Sequence, residues 1–468
     1  MQSRILPGQF NLESLDLFSI YGSRTVDLSE IYQQINIFES ILAPCLTGYV
    51  VVTDTFNLIS GTQSLPIMGN DLIQFTFNAP DFKVQNEDGT WSSPKKNKIS
   101  FTGKVTDIKN MSLVNEGAQN YEIHFCSEEL ILDKQIKISQ SYKDMSLGKM
   151  VSKIFSEYYK KTSSSVEFED TLHNQSVVVP SWSPLKAISW LASRSISKKH
   201  NTPQFFFYQT LYNDGIITSS NRSQTSDLSD QSSTKYWFLS TDELIDLWGG
   251  DVRKTIFYSP ITKSVPQSSR SDEDYMNFSN ALNYEIIHSF DTLNNVSRGM
   301  FNSRLLAHDI TNKTLTKHDY QYDKNFEKYK HVDSSPFSTG VVDSFGKTFT
   351  DPSYAEAHQM LASSGTNENP NYLSNISSAR LDRIQSLNNF RLRIILPGDG
   401  LIESGDLINF ELNSIEVGKQ ARDPFYSGKY MVNSIRHTIS RSPSEYRIFL
   451  DCSKESLKID VKDFKPGA

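Results

Sequence analysis

Cysteine is scarce in this chain, and its scarcity excludes two architectures. Three residues in 468, at positions 45, 126 and 452, form no CxxC pair and leave one thiol odd. Neither a disulfide framework nor a structural zinc site follows from that set. Three buried thiols, in a protein made in a reducing cytosol, are expected instead. Long hydrophobic runs are missing too. Stretches such as Tyr49–Val52 are strand-sized, far below the ~20 apolar residues that span a bilayer. The opening MQSRILPGQFNLESLDLF has no apolar leader core, so no secretory signal is expected. Positive charge is not in excess: 47 Lys and Arg face 54 Asp and Glu, a formal charge of −7. That balance argues against a polybasic binder of nucleic acid or membrane.

Catalytic signatures are equally thin. The chain has no GxSxG elbow, no GxxxxGK[ST] phosphate loop and no HExxH pair. Gly398-Asp399-Gly400 reads as a turn. His308-Asp309 and His318-Asp319 read as polar loop dipeptides, and His124 and His437 as strand histidines facing solvent or hydrogen-bonded. Glu128-Glu129 is a solvated acidic pair. No enzyme, metal or cofactor is expected. Trp182 and Trp190 flank a helix and are read as anchors against a sheet, with a sugar-stacking platform as the competing reading.

What the chain does have is aromatic content and alternation. Hydrophobic residues make up 37%, with 28 Phe and 21 Tyr, enough to fill cores and exclude wholesale disorder. The length suits about three domains at roughly 100–200 residues each.

Residues 1–140 read as strands. Ile73, Phe75 and Phe77 alternate with other residues, as do Ile99, Phe101 and Val105, and Tyr121, Ile123 and Phe125. Side chains two apart share a sheet face, so each run presents one apolar face, and a β-barrel or sandwich follows. Residues 141–258 read as an α+β module. A helix from Leu147 to Tyr158 is capped by Ser146, and a second starts at Ser183 with Pro184 in its first position. A hairpin is predicted from Phe205–Thr210 and Ile216–Ser219 about Asn213-Asp214-Gly215. A Ser-rich loop spans 219–234, with nine Ser or Thr in 16 residues. Thr241 is read as the cap of a short helix through Leu247. Residues 259–375 are a mixed middle segment, 376–458 a second β region and 459–468 a tail.

The two β regions echo each other. Gly69-Asn70-Asp71-Leu72-Ile73-Gln74-Phe75 matches Gly405-Asp406-Leu407-Ile408-Asn409-Phe410. Phe101-Thr102-Gly103-Lys104 matches Tyr426-Ser427-Gly428-Lys429. Tyr121–Ser127 matches Tyr446–Ser453. Gly103 to Tyr121 and Gly428 to Tyr446 are both steps of 18. A Gly-Asp turn, a Gly-Lys turn and a final aromatic-led strand would make one repeated meander. Gly69, Asp71, Gly103, Gly405, Asp406, Gly428, Tyr430 and Tyr446, with Trp182, Pro184 and Trp190, are the candidate structural residues. Three copies of a duplicated chain would place six near-equivalent units in a ring.

These motifs, in this order, resemble the baseplate hub protein of contractile-tailed bacteriophages, a family related to the hub part of the VgrG spike protein. LFSIYGSRTVDLSEIYQQINIFESI with the Gly69–Phe77 strand is similar to the first hub barrel. VPSWSPLKAISWLASRS followed by FFFYQT is similar to the central module, and RGMFNSRLLAHDITNKT to the approach to the second barrel. LPGDGLIESGDLINFEL, SGKYMVNSIRHTIS and EYRIFLDCSKESL are similar to the second barrel. Segment 321–375 matches no part of the family. The resemblance implies a β-rich α+β fold with two tail-tube-like barrels. It implies a structural virion protein, homotrimeric, with tube or tube-initiator proteins above and a spike or tail-lysozyme protein below. A tape-measure partner and DNA passing through without specific binding are also implied. The rival classes are a non-phage contractile injector of the same fold and a cell-wall hydrolase.

Overall fold

The computed structural model describes residues 8–19, 25–58, 69–78, 98–159, 165–211, 234–247, 249–258, 279–309, 313–337, 356–362, 389–414 and 422–459, with a few positions between them. The first half contributes β1 (Asn11–Phe18), β2 (Thr25–Asp27), β3 (Tyr32–Ser40), β4 (Thr47–Asp54) and β5 (Leu72–Asn78). The two-residue strands β6 (Val84–Gln85) and β7 (Trp91–Ser92) pair with each other, and β8 (Lys98–Asn115) and β9 (Ala118–Cys126) follow. The centre holds α1 (Glu128–Gln135), β10 (Ile138–Ser146), α2 (Leu147–Tyr158), β11 (Ser165–Phe168), β12 (Asn174–Trp182), α3 (Pro184–Ala192), β13 (Phe205–Leu211), β14 (Thr234–Ser240) and α4 (Thr241–Asp246). Then come β15 (Lys254–Tyr258), β16 (Asn283–Ser289), α5 (Thr292–Ser297), β17 (Asn302–Asp309), β18 (Thr314–Gln321), α6 (Tyr322–Asn325) and β19 (Glu356–Ala362). The last strands are β20 (Phe390–Pro397), β21 (Leu407–Leu412), β22 (Gly428–Ser440) and β23 (Glu445–Lys454).

The two β regions are joined in one 13-stranded sheet. The first half runs β1-β5-β8-β9-β4-β3, and the second runs β15-β21-β22-β23-β20-β16. The strand order is the same, element for element. One difference is direction: β1 lies antiparallel to β5, whereas β15 lies parallel to β21. Among the described residues no pairing closes either half on itself. The halves meet instead where β3 pairs with β22, from Gln34 opposite Ser440 to Ser40 opposite Ser434. The second half therefore draws β15 and β16 from upstream of the boundary expected at residue 376.

Alternation explains these strands. Ile73, Phe75 and Phe77 are fully buried on one face of β5, and Phe75 lies opposite Phe101 with ring centroids 5.3 Å apart. Phe390, Leu392, Ile394 and Leu396 do the same on β20. One continuous core runs through both halves, and Phe77 packs edge-on against Tyr446 with centroids 5.4 Å apart.

The duplication is real, but its register differs from the sequence match. Val105 N–H donates to Asp71 O at 2.8 Å, and Asn70 N–H donates to Val105 O at 2.7 Å. Val432 N–H donates to Asp406 O at 2.9 Å, and Gly405 N–H donates to Val432 O at 2.8 Å. A β-bulge follows at the same step of each ladder, between Val105 and Asp107 and between Val432 and Ser434. Ile73 faces Gly103 while Ile408 faces Tyr430, so the counterpart of Gly103 is Tyr430, two residues beyond Gly428. Gly103 does not sit in a turn as expected. It lies inside β8, where an added Cβ would come within 2.5 Å of the Phe101 ring and 2.7 Å of Cys126 O.

The central module has its own core, in which α2 and α3 cover two small sheets, β10-β12 and β11-β14-β13. Strand β13 pairs with β14, Phe207 opposite Phe238, and the hairpin strand expected at Ile216–Ser219 lies outside the described residues. The expected turn at Asn213–Gly215 and the first fifteen residues of the Ser-rich loop lie outside the described residues, and the loop's last residue, Thr234, opens β14. Helix α1 is an element the alternation missed: it places buried Glu129 and Asp133 under the module. The caps also differ. Ser146 and Ser183 hold the N-cap positions of α2 and α3 without side-chain cap bonds. The free helix N–H groups are taken from outside, Gly148 N by Thr171 Oγ1 at 2.9 Å and Leu185 N by Asp133 Oδ1 at 2.7 Å. Pro184 occupies the first turn of α3 as expected. The cap of α4 is Ser240, whose hydroxyl accepts from Glu243 N at 3.2 Å, and Thr241 is already helical.

Candidate functional site at the junction of the two halves

The junction is built by strands separated by nearly the whole chain. Ile35, Ile37, Ile435 and Ile439 are buried around it. Into this apolar setting the two strands bring a polar cluster. Glu39 and His437 are 2% and 1% exposed. Glu39 Oε1 lies 3.2 Å from His437 Nε2, and His437 Nδ1 lies 2.8 Å from Tyr446 Oη. The tautomer with its proton on Nε2 donates to Glu39 and accepts from Tyr446 Oη at Nδ1. Burial keeps the Tyr446 phenol well above its ordinary pKa, so it keeps its proton. Glu39 also accepts from Leu211 N at 3.0 Å and from Ser404 N at 3.4 Å. One carboxylate thus ties β3, the end of β13 and the loop before β21 together. On the same strands Asn36 Oδ1 accepts from Arg436 Nε and from Thr438 Oγ1, both at 3.0 Å.

A second buried pair closes the far side. Lys454, fully buried, lies 2.9 Å from Asp333 Oδ2 and donates to Ser427 O at 3.0 Å. Desolvation lowers its pKa from the ordinary lysine value. Glu455 Oε2 lies 2.5 Å from His331 Nδ1, and Glu455 Oε1 accepts from Val332 N at 2.7 Å. These contacts bind the segment after α6 to the end of β23.

The candidate residues fall into place around these clusters. Gly428, at φ +136°, opens β22, and a Cβ there would meet Lys454 Nζ at 2.5 Å and Asp333 Oδ2 at 2.6 Å. Gly405, at φ +96°, would press a Cβ within 2.5 Å of Tyr208 Oη from the module. Gly69, at φ +87°, has nothing closer than Thr106 O at 4.0 Å. Asp71 and Asp406 are buried at equivalent turns, and Asp406 Oδ2 accepts from Glu403 N at 2.9 Å. Tyr430 is buried and its hydroxyl donates to Tyr426 O at 2.8 Å. Trp182 and Trp190 are half-buried and meet edge-on at 5.5 Å, with Arg194 over the Trp190 ring at 4.3 Å. An edge-on pair, with Lys186 over the Trp182 ring at 5.4 Å as well, offers no flat platform for a sugar. Glu39 and His331 carry the junctions yet were not singled out from sequence, because a lone polar residue on a strand has no local signature.

The two histidine–aspartate dipeptides lie on paired strands, β17 and β18. His308 lies opposite Leu315 and His318 opposite Leu305, so the two dipeptides do not meet. Asp319 is held by Arg304 Nε at 2.7 Å, which lowers its carboxyl pKa. Glu169, His200 and Glu243 bring ligand-type atoms within 4.8 Å of one another. Three of the four carboxylate oxygens are already engaged: Glu169 accepts from Ser197 Oγ and Ser240 N, and Glu243 Oε2 accepts from Lys199 Nζ at 2.8 Å and lies 2.7 Å from His200 Nε2. An ammonium on the shared carboxylate makes this a latch within the module. The three cysteines are free and buried, and burial pushes the Cys126 thiol up to about 11. No helix among the described residues is long and apolar enough to cross a membrane.

No protein-family model matches the chain, and no curated protein matches it. Solved structures do. A tail protein from Neisseria meningitidis MC58 aligns with a TM-score of 0.53 at 12% identity, covering 97% of this chain and 99% of that one. The 43 kDa tail protein of prophage MuSo2 from Shewanella oneidensis aligns with a TM-score of 0.50 at 9% identity, covering 95% and 98%. The chain therefore has the β-rich fold of these tail proteins.

Proposed function

We propose that this chain is the central hub of a contractile phage tail. It acts as a trimer whose six near-equivalent β units join a sixfold tail tube to a threefold spike. The observation that supports this is the duplicated six-strand unit. Two copies per chain reconcile the two symmetries when three chains close a ring. Tube or tube-initiator proteins would dock on one face and a spike or tail-lysozyme protein on the other, with the tape-measure protein a further contact. DNA would pass through the ring without being held, which the net charge of −7 suits. The protein would reside in the virion baseplate after synthesis in the host cytoplasm, and would do no chemistry. Size-exclusion chromatography with light scattering, and imaging of tail ends, test the reading. A trimer at the tube–spike boundary is the expected result. A stable monomer absent from the particle would overturn it.

A further inference from the structure

The equivalence of the two halves leaves one contact unmatched. Within the chain, the edge of β22 beyond its bulge is covered by β3. There Ile435, His437, Thr438 and Ile439 are buried. The counterpart of that edge is β8 beyond its own bulge. Its ladder there is with β9 alone among the described residues, and Asp107, Lys109 and Asn110 are exposed. The counterpart of β3 is β16, which pairs only with β20 among the described residues. The same pair of edges that meets inside the chain therefore recurs, unmet, at its two ends.

Apolar exposure is concentrated at those ends. Of thirteen exposed large hydrophobic side chains among the described residues, seven lie there. Met111, Leu113 and Val114 are on the β8 arm, at 54%, 82% and 55% exposure. Leu282 and Phe290 flank β16, and Leu293 and Val296 follow on α5. An open strand edge with apolar neighbours is a template for another strand.

We infer that the edge of β8 beyond its bulge pairs antiparallel with the outer edge of β16 from a second copy of this chain. The register follows from the ladders. Phe38 faces Thr47 and Thr47 faces Cys126, while His288 faces Arg391 and Arg391 faces Ser453, so His288 is the counterpart of Phe38. Phe38 faces Arg436 and Glu39 faces Ile435. Lys109 therefore faces the second copy's His288, and Ile108 its Ser289. The contact joins two different surfaces, so it propagates from copy to copy, and three copies close it as a ring if each step turns by one third of a circle. It rests on the trimeric reading above and names the surface that makes it.

The test is disulfide trapping in the full chain. Ile108→Cys with Ser289→Cys should give a covalent trimer on non-reducing gels, whereas either single variant should not. Asp107→Cys with Phe290→Cys provides a second pair one ladder step away, in case the first disturbs folding. A double variant that is trimeric by light scattering but forms no linked species with either pair would overturn this interface and leave the hub reading intact. A chain that stays monomeric throughout would overturn both. Trimer-specific linkage that Lys109→Glu with His288→Glu weakens at least tenfold would support the register.

Discussion

Glu39 and His437, 398 residues apart in the chain, meet across the β3–β22 junction with Oε1 3.2 Å from Nε2. The pair is buried in an isoleucine-rich setting. It commits the two halves to one alignment, because any slip of β22 against β3 would strand a buried acceptor and several donors.

Glu39→Ala should therefore cost about 3–5 kcal/mol, since His437 and the Leu211 and Ser404 amides lose their acceptor together. Glu39→Gln, which keeps an acceptor oxygen, should cost less. Urea unfolding of the three proteins checks the order. Equal midpoints would show the cluster to be energetically idle.

Gly428→Val should destabilise by about 3 kcal/mol or more, combining positive-φ strain with displacement of the buried Lys454–Asp333 pair. Gly69→Ala meets no close neighbour and should cost only about 1 kcal/mol, from backbone strain. Thermal melts of both variants separate the contribution of φ from that of contact.

Stability should fall as pH rises above about 10, the ordinary tyrosine value. Tyr430 and Tyr446 are held well above that value by burial, so the folded state keeps protons that the unfolded chain releases. Each such tyrosine contributes a loss of about 1.4 kcal/mol per pH unit in that window. Lys454, with a lowered pKa, acts in the opposite sense below its ordinary value and adds nothing above it. Tyr430→Phe should flatten the decline between pH 10 and 11, measured as ΔG from urea titrations. An unchanged slope would contradict the assignment.

Trp190→Ala should cost about 2 kcal/mol rather than the 3–5 kcal/mol of a fully buried indole, because the ring is only partly buried against the module core. Binding to cell-wall saccharides should be undetectable in both proteins by calorimetry.

Zinc or a chelator should leave the melting temperature unchanged, because Lys199 already occupies the carboxylate that Glu243 would lend to a metal. His200→Ala should lower stability by about 1 kcal/mol through loss of its bond to Glu243. A zinc-dependent rise in melting temperature that His200→Ala abolishes would show the cluster to be a metal site.

Much of this architecture was legible in the residues. The alternation of Ile73, Phe75 and Phe77 set a strand and its buried face, and the spacing from Leu147 to Tyr158 set a helix. The repeat of Asp71–Phe75 in Asp406–Phe410 revealed the duplication. The later echoes matched two residues out of register. Strand side chains repeat every two residues, so a two-residue shift leaves every face unchanged and sequence similarity cannot detect it. The backbone bonds of Val105 and Val432 detect it directly.

The sequence by itself determined the buried apolar face of strands such as β5 and β20, and the echo between the two β regions. These are local properties, set by side-chain periodicity and composition. Tertiary structure alone decided that β13 pairs with β14, that Asp133 caps α3, that Gly428 borders a buried ion pair, and that Glu39 finds His437. Each of these depends on where distant backbone segments come to lie, and backbone donors and acceptors are the same in every residue but proline. The junction of the halves, and the two open edges that mirror it, belong to that second class.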